Sequence, residues 1–212
     1  MAERIARDTV VDIAHDFNGP LSTMWLETII LERRLGDDPH SDTVNAVRSI
    51  QRSIEALTAV VGDLMDLSRI AEGTLHLERT SSDLHALVAR AMVRTVAESE
   101  KARVKLDPGP AVHASVDVRR LERVIASLVA TALGQAAPTS RVALGVSRAH
   151  ASVRVSIAAD VPDPQPQGQP DAEERRIALG LHIARHIIEG HGGRLLTGEA
   201  RFVVELPVLE AW

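Results

Sequence analysis

Cysteine is absent from the 212 residues, which removes disulfides and thiolate metal sites from consideration. Tyrosine is absent too, and Trp25, Trp212, Phe17 and Phe202 are the only aromatic residues, 2% of the chain. The core must therefore be aliphatic, built from Leu, Ile, Val and Ala. No apolar run approaches the length of a membrane span, and the N-terminus lacks a signal-peptide pattern. Basic residues are not in excess: the net charge is −5, which gives no footprint for nucleic acid. The expectation is a cytoplasmic protein that binds neither nucleic acid nor membrane. Only Met1 to Ala14 precede His15, so no sensor module is expected upstream of it.

What is present begins with two long amphipathic stripes. Ala14, Phe17, Leu21, Met24, Thr28, Leu31 and Leu35 recur at alternating spacings of three and four, as do Val47, Ile50, Ile54, Leu57, Val61, Leu64 and Ser68. Such spacing predicts a coiled-coil seam on each of two helices. The break Gly36-Asp37-Asp38-Pro39-His40-Ser41 holds a helix stop, a proline and polar caps. The pattern predicts an antiparallel hairpin over about residues 3–72, and pairing two copies would complete a four-helix bundle.

His15 lies within Val11-Asp12-Ile13-Ala14-His15-Asp16-Phe17-Asn18-Gly19-Pro20-Leu21. It follows the seam residue Ala14, so it belongs on the shoulder of the bundle, open to a partner. A neutral imidazole is a nucleophile that can carry a phosphoryl group as a phosphoramidate. Asp16 beside it can hold the ring in one tautomer and help move its proton. Pro20 removes a backbone donor and bends the helix near the nucleophile.

Beyond Glu72-Gly73 the periodicity changes. Strands are predicted over 74–80, 103–106, 112–116, 140–147, 151–158, 194–196 and 202–206, and helices over 83–99, 117–135 and 173–189. Residues 159–172, rich in Pro, Gln, Asp and Gly, read as a loop. The fold class is therefore α+β: residues 1–72 as the dimerising hairpin, then residues 73–212 as an α/β sandwich, one mixed sheet with helices on one face.

This order resembles the core of a two-component histidine kinase, a phosphoacceptor hairpin followed by a Bergerat-type ATP-binding domain. The resemblance rests on the box around His15, on Asp117-Val118-Arg119-Arg120-Leu121-Glu122-Arg123-Val124-Ile125, and on the run from Ala178-Leu179-Gly180 to His191-Gly192-Gly193. It implies that His15 accepts a phosphoryl group, assisted by Asp16. It also implies two asparagines on the helix after Asp117, the second holding magnesium, where this chain has Ser127 and Thr131. The family's Asp-x-Gly-x-Gly box appears as Asp160-Val161-Pro162-Asp163-Pro164, without either glycine, and no Phe or Tyr lies between Asp160 and Gly180. The glycine-rich helix start keeps Gly180 but has Ala178 where the first glycine belongs.

A phosphoryl donor needs metal, phosphate cradle and lid together. Their joint departure predicts a pseudokinase: a histidine phosphotransferase that takes a phosphoryl group on His15 from the aspartate of one response-regulator receiver domain and passes it to another, as a homodimer. No cofactor or metal is expected in this chain, magnesium belonging to the receiver. Two other classes stay open, an ATP-dependent histidine kinase with an atypical site and a non-catalytic scaffold that binds receivers. Gly19 stands where kinases that also dephosphorylate their regulators place Thr or Asn, which disfavours phosphatase activity. His182 and His186 are one helical turn apart, but no carboxylate completes a known metal spacing.

Overall fold

The computed structural model describes residues 21–35, 42–96, 98–137, 139–149, 151–160 and 172–208. The chain divides into two compact units, residues 1–75 and 76–212. His15, Asp16, the break at 36–41 and most of the expected loop, residues 161–171, lie outside the described residues. No described helix is long and apolar enough to cross a membrane.

The first unit holds helix α1, residues 21–35, and helix α2, Asp42–Ala71. Glu32 joins them, accepting hydrogen bonds from Arg48 Nε at 3.3 Å and Gln51 Nε2 at 3.1 Å. The seam splits into two sets. Leu21, Thr28, Val47, Ile54 and Ser68 are buried, whereas Met24, Leu31, Leu35, Ile50, Leu57 and Leu64 are exposed. Most members of each set repeat every seven residues. A single hairpin can cover one of the two alternating seam positions; the other set needs a further helical surface.

In the second unit the elements run β1 (Thr80–Asp83), α3 (Leu84–Thr95), a 3-10 turn (Glu98–Glu100), β2 (Val104–Leu106), β3 (His113–Val116), α4 (Val118–Gln135), β4 (Val142–Ala149), β5 (Ser152–Ala159), α5 (Ala172–Gly190), β6 (Arg194–Gly198) and β7 (Arg201–Pro207). The main sheet has the order β2-β4-β5-β7-β6. It is mixed: β2 runs parallel to β4, and the other neighbours are antiparallel. Val142, Leu144 and Val146 on β4, Val153, Val155 and Ile157 on β5, and Phe202, Val204 and Leu206 on β7 are buried. These alternate along each strand, so one sheet face is the core face, and α4 and α5 pack on the sheet with α3 against α4. On the opposite face Glu205 sits between cross-strand neighbours Arg154, at 2.6 Å, and Arg194. Those two guanidiniums, Arg194 first, hold its carboxyl below the usual range.

The helix expected over 83–99 stops at Thr95, with Asp83 capping its start through the amide of His85 at 2.9 Å. The strand expected over 74–80 is a correction: only Thr80 of that run is extended in a ladder, and β1 continues to Asp83, pairing with β3 in a separate two-stranded sheet. Residues 76–79 are held by side-chain hydrogen bonds instead. The His76 carbonyl accepts from the Arg120 guanidinium, the Glu78 amide donates to Asp117 Oδ2 at 3.2 Å, and the Arg79 guanidinium donates to the Gly190 carbonyl. Alternation of side chains cannot tell a ladder from a strap held this way.

Candidate functional site

The nucleophile and its neighbour expected from sequence, His15 and Asp16, lie outside the described residues. The described part of the site is the region of the second unit formed by α4, α5 and the end of β5.

Helix α4 is amphipathic, with Leu121, Val124, Ile125, Leu128 and Val129 turned to the core. Its polar positions Ser127 and Thr131 are one turn apart. The Thr131 hydroxyl donates to the Ser127 carbonyl at 2.9 Å, and the residue is buried. Gly180 on α5 faces Ser127 so closely that a Cβ at position 180 would stand 3.2 Å from Ser127 Oγ. The two helices meet at this small-residue contact. At the end of β5, Asp160 is tied through its backbone: its carbonyl accepts from the Ala137 amide at 3.2 Å and from Ser140 Oγ at 3.0 Å. Asp160 is exposed and lines a shallow recess with Ala159, Glu199 and Arg201. The adjoining β6–β7 turn is braced by Gln135, whose Oε1 accepts from the amide of Ala200 at 3.1 Å. Ala200 is buried in the left-handed region, φ 44°.

A buried polar cluster joins the start of α4 to the end of α5. The Asp117 amide donates to His191 Nε2 at 2.8 Å, and His191 Nδ1 bonds the Ile187 carbonyl at 2.7 Å. Since Nε2 receives a hydrogen bond and a carbonyl can only accept, the ring is neutral with its proton on Nδ1. Burial is the largest influence on His191 and pushes its pKa down; the Arg79 and Arg120 charges act the same way, while the Ile187 bond and the Asp117 charge oppose them. Asp117 caps α4 through the Arg120 amide at 3.1 Å and pairs with the Arg120 guanidinium at 3.0 Å. Burial pushes the Asp117 carboxyl up, and the hydrogen bonds from Arg120 and Glu78 outweigh it, leaving the group below its ordinary value. The sequence carries a signal for this joint: Asp117 is an N-cap residue, and His191 precedes two glycines just after α5.

Among the described residues no group of three or more His, Cys, Asp or Glu side chains is arranged to hold a metal. The His182 and His186 rings lie side by side on α5, with centroids 4.4 Å apart.

Comparison with known proteins bears on both units. Residues 6–73 match the His Kinase A (phospho-acceptor) domain family. The alginate biosynthesis sensor protein KinB of Pseudomonas aeruginosa is 26% identical over 230 residues, covering 97% of this chain and 38% of its own length. The sensor protein KdpD of Mycobacterium tuberculosis is 29% identical over 216 residues, covering 92% of this chain and 24% of its own. The chain thus spans well under half the length of these relatives. The histidine kinase AdeS of Acinetobacter baumannii shares the fold with a TM-score of 0.59 at 19% identity, covering 92% of this chain and 98% of that structure.

Proposed function

Starting from a chain that these matches support as a two-component histidine kinase core, we propose that it works as a histidine phosphotransferase without ATP: His15 takes a phosphoryl group from the aspartyl phosphate of a response-regulator receiver domain and returns it to another. The observation that carries this reading is the chemistry at the α4–α5 contact. The family that the sequence resembles holds the magnesium of its bound triphosphate with an asparagine side-chain oxygen on the helix matching α4. Thr131 offers a short hydroxyl already bonded to the helix backbone, and Ser127 is pressed against Gly180. The strand end at Asp160 leads into Val161-Pro162-Asp163-Pro164, whose prolines lack amide donors for a phosphate cradle. These residues do not fit the nucleotide, and no step of the reaction is routed through it.

On the transfer route the imidazole attacks the receiver's acyl phosphate, the P–O bond to the aspartate breaks as the N–P bond forms, and the receiver carboxylate leaves. Asp16 acts on the ring's other nitrogen by fixing the tautomer and accepting its proton as positive charge develops on the ring. The magnesium that neutralises the phosphoryl oxygens belongs to the receiver. A solved structure with this fold, at a TM-score of 0.50 and 22% identity, is a histidine kinase, ThkA, in complex with the response regulator TrrA. A receiver is the partner proposed for this chain as well.

The hairpin is proposed to dimerise. The exposed seam set, Met24, Leu31, Ile50, Leu57 and Leu64, forms the surface a second hairpin would cover.

The test is transfer from phosphorylated receivers to the whole chain. Label should appear on the protein, stable to alkali and labile to acid as a phosphoramidate is, and His15→Ala should abolish it. Mg-ATP should neither label the chain nor give a saturating titration in the micromolar range. Autophosphorylation from ATP would establish the atypical kinase instead, and receiver binding without any label would establish the scaffold.

A further inference from the structure

We propose that His182 and His186 form a two-ligand surface site for a divalent late transition metal, Cu(II) or Ni(II) above all, with water filling the remaining positions. Neither residue takes part in the His191–Asp117 joint or in the proposed phosphotransfer. Helix α5 buries Ile183, Ala184, Ile187 and Ile188 and turns His182 and His186 outward, His182 exposed and His186 half-buried. A separation of four residues stacks the two side chains on one face of the helix.

Two features of the structure go beyond that spacing. The first is the ring geometry. A metal about 2.05 Å from an imidazole nitrogen stands roughly 3.2 Å from the ring centroid. Two rings meeting at a right angle at the metal then have centroids about 4.5 Å apart, and at a tetrahedral angle about 5.2 Å. The observed separation is 4.4 Å, with the planes tilted by 54°. That separation matches the right-angle spacing that two adjacent equatorial imidazoles on Cu(II) or Ni(II) take up. The second is the tautomer. His186 Nδ1 lies 3.0 Å from the His182 carbonyl. A carbonyl only accepts, so Nδ1 is the donor, and in the neutral ring Nε2 is the nitrogen left to bind a metal. A backbone carbonyl orienting a histidine through its other nitrogen is the usual outer support of a metal-bound imidazole. Arg185 stands about a quarter turn from His186 but only three residues from His182, beside the same face.

No third described His, Cys, Asp or Glu joins the pair. The site is therefore an open chelate. Because the two rings stand at this spacing only when α5 is helical, the metal should bind the folded state selectively and stabilise it.

The experiment is calorimetric titration of the full chain with CuCl2 and NiCl2 in a non-coordinating buffer, with electron paramagnetic resonance of the sample holding one equivalent of copper. Expected are one tight equivalent per chain, two equatorial nitrogens in the copper spectrum, a raised melting temperature, and an affinity weakened about tenfold or more by either His182→Ala or His186→Ala. Neither substitution touches the core, and His182→Ala retains the carbonyl that holds His186. His113→Ala, at an exposed position on β3, should change nothing. The proposal is overturned if the double variant keeps wild-type affinity, if the spectrum shows a single nitrogen, or if uptake is weak, multiple and indifferent to both histidines.

Discussion

Replacing His191 with alanine removes the joint between the end of α5 and the start of α4, and its cost can be worked out group by group. The Ile187 carbonyl is not orphaned, because it still accepts from the residue-191 amide at 3.2 Å. The Asp117 amide is: its acceptor is His191 Nε2 at 2.8 Å, and the residue is only 5% exposed. A buried donor left without an acceptor costs about 1–3 kcal/mol, and the void of a fully buried imidazole adds about 1–2 kcal/mol. The expected destabilisation is therefore about 3 kcal/mol, or roughly 10–15 °C in the melting temperature of a unit this size. The same joint sets a pH dependence. His191 is held below its ordinary value, chiefly by burial. Its folded pKa lies below its unfolded value of about 6.5, so its contribution is fully present above that value and is lost as pH falls from there through the folded pKa. Asp117, also depressed, adds a second loss only below the ordinary Asp range, about pH 4. Urea unfolding followed by circular dichroism at pH 8, 6.5 and 5.5 should show wild-type stability declining on acidification, with His191→Ala lower throughout and its slope flattened. A variant within about 1 kcal/mol of wild type at pH 8, or one that keeps the same slope, would refute this role for His191.

Gly193→Ala should destabilise the second unit by about 3 kcal/mol or more, read as a lower urea midpoint, because the new Cβ would stand 2.2 Å from the Glu205 carbonyl oxygen and 2.9 Å from Leu206 Cδ2. Leu57→Glu, at a position 53% exposed in the single chain, should turn the proposed dimer into a folded monomer by light scattering; an unchanged mass would remove this face from the interface. Asp16→Asn should slow phosphotransfer by about tenfold or more while receiver binding persists, measured by rapid-quench labelling and by titration; equal loss of both would make Asp16 a docking residue instead.

Much of the fold is legible in the sequence because local rules act on short windows. Asp83 and Asp117 cap helices that begin at the next residue, and the alternating runs of β4, β5 and β7 put Val, Ile, Leu and Phe on one sheet face. The run 74–80 misleads because its periodicity is that of a strand while its partners are Arg120, Asp117 and Gly190, at least 39 positions away in sequence. His191 is legible as part of a terminal His-Gly-Gly run, but not as the acceptor for the Asp117 amide, 74 positions away. The pairing of Ser127 with Gly180 is likewise invisible, since it depends on how two helices meet.

Periodicity, capping and composition are properties of neighbours along the chain. They are enough to define the hairpin, the order of strands and helices, the aliphatic core and the residue types at each place where chemistry is sought. Which half of the hairpin seam stays uncovered is a matter of packing, as are the contact of Ser127 with Gly180 and the neutrality of His191. Each of these depends on distances between atoms, or on burial, which is set by everything the chain folds around them.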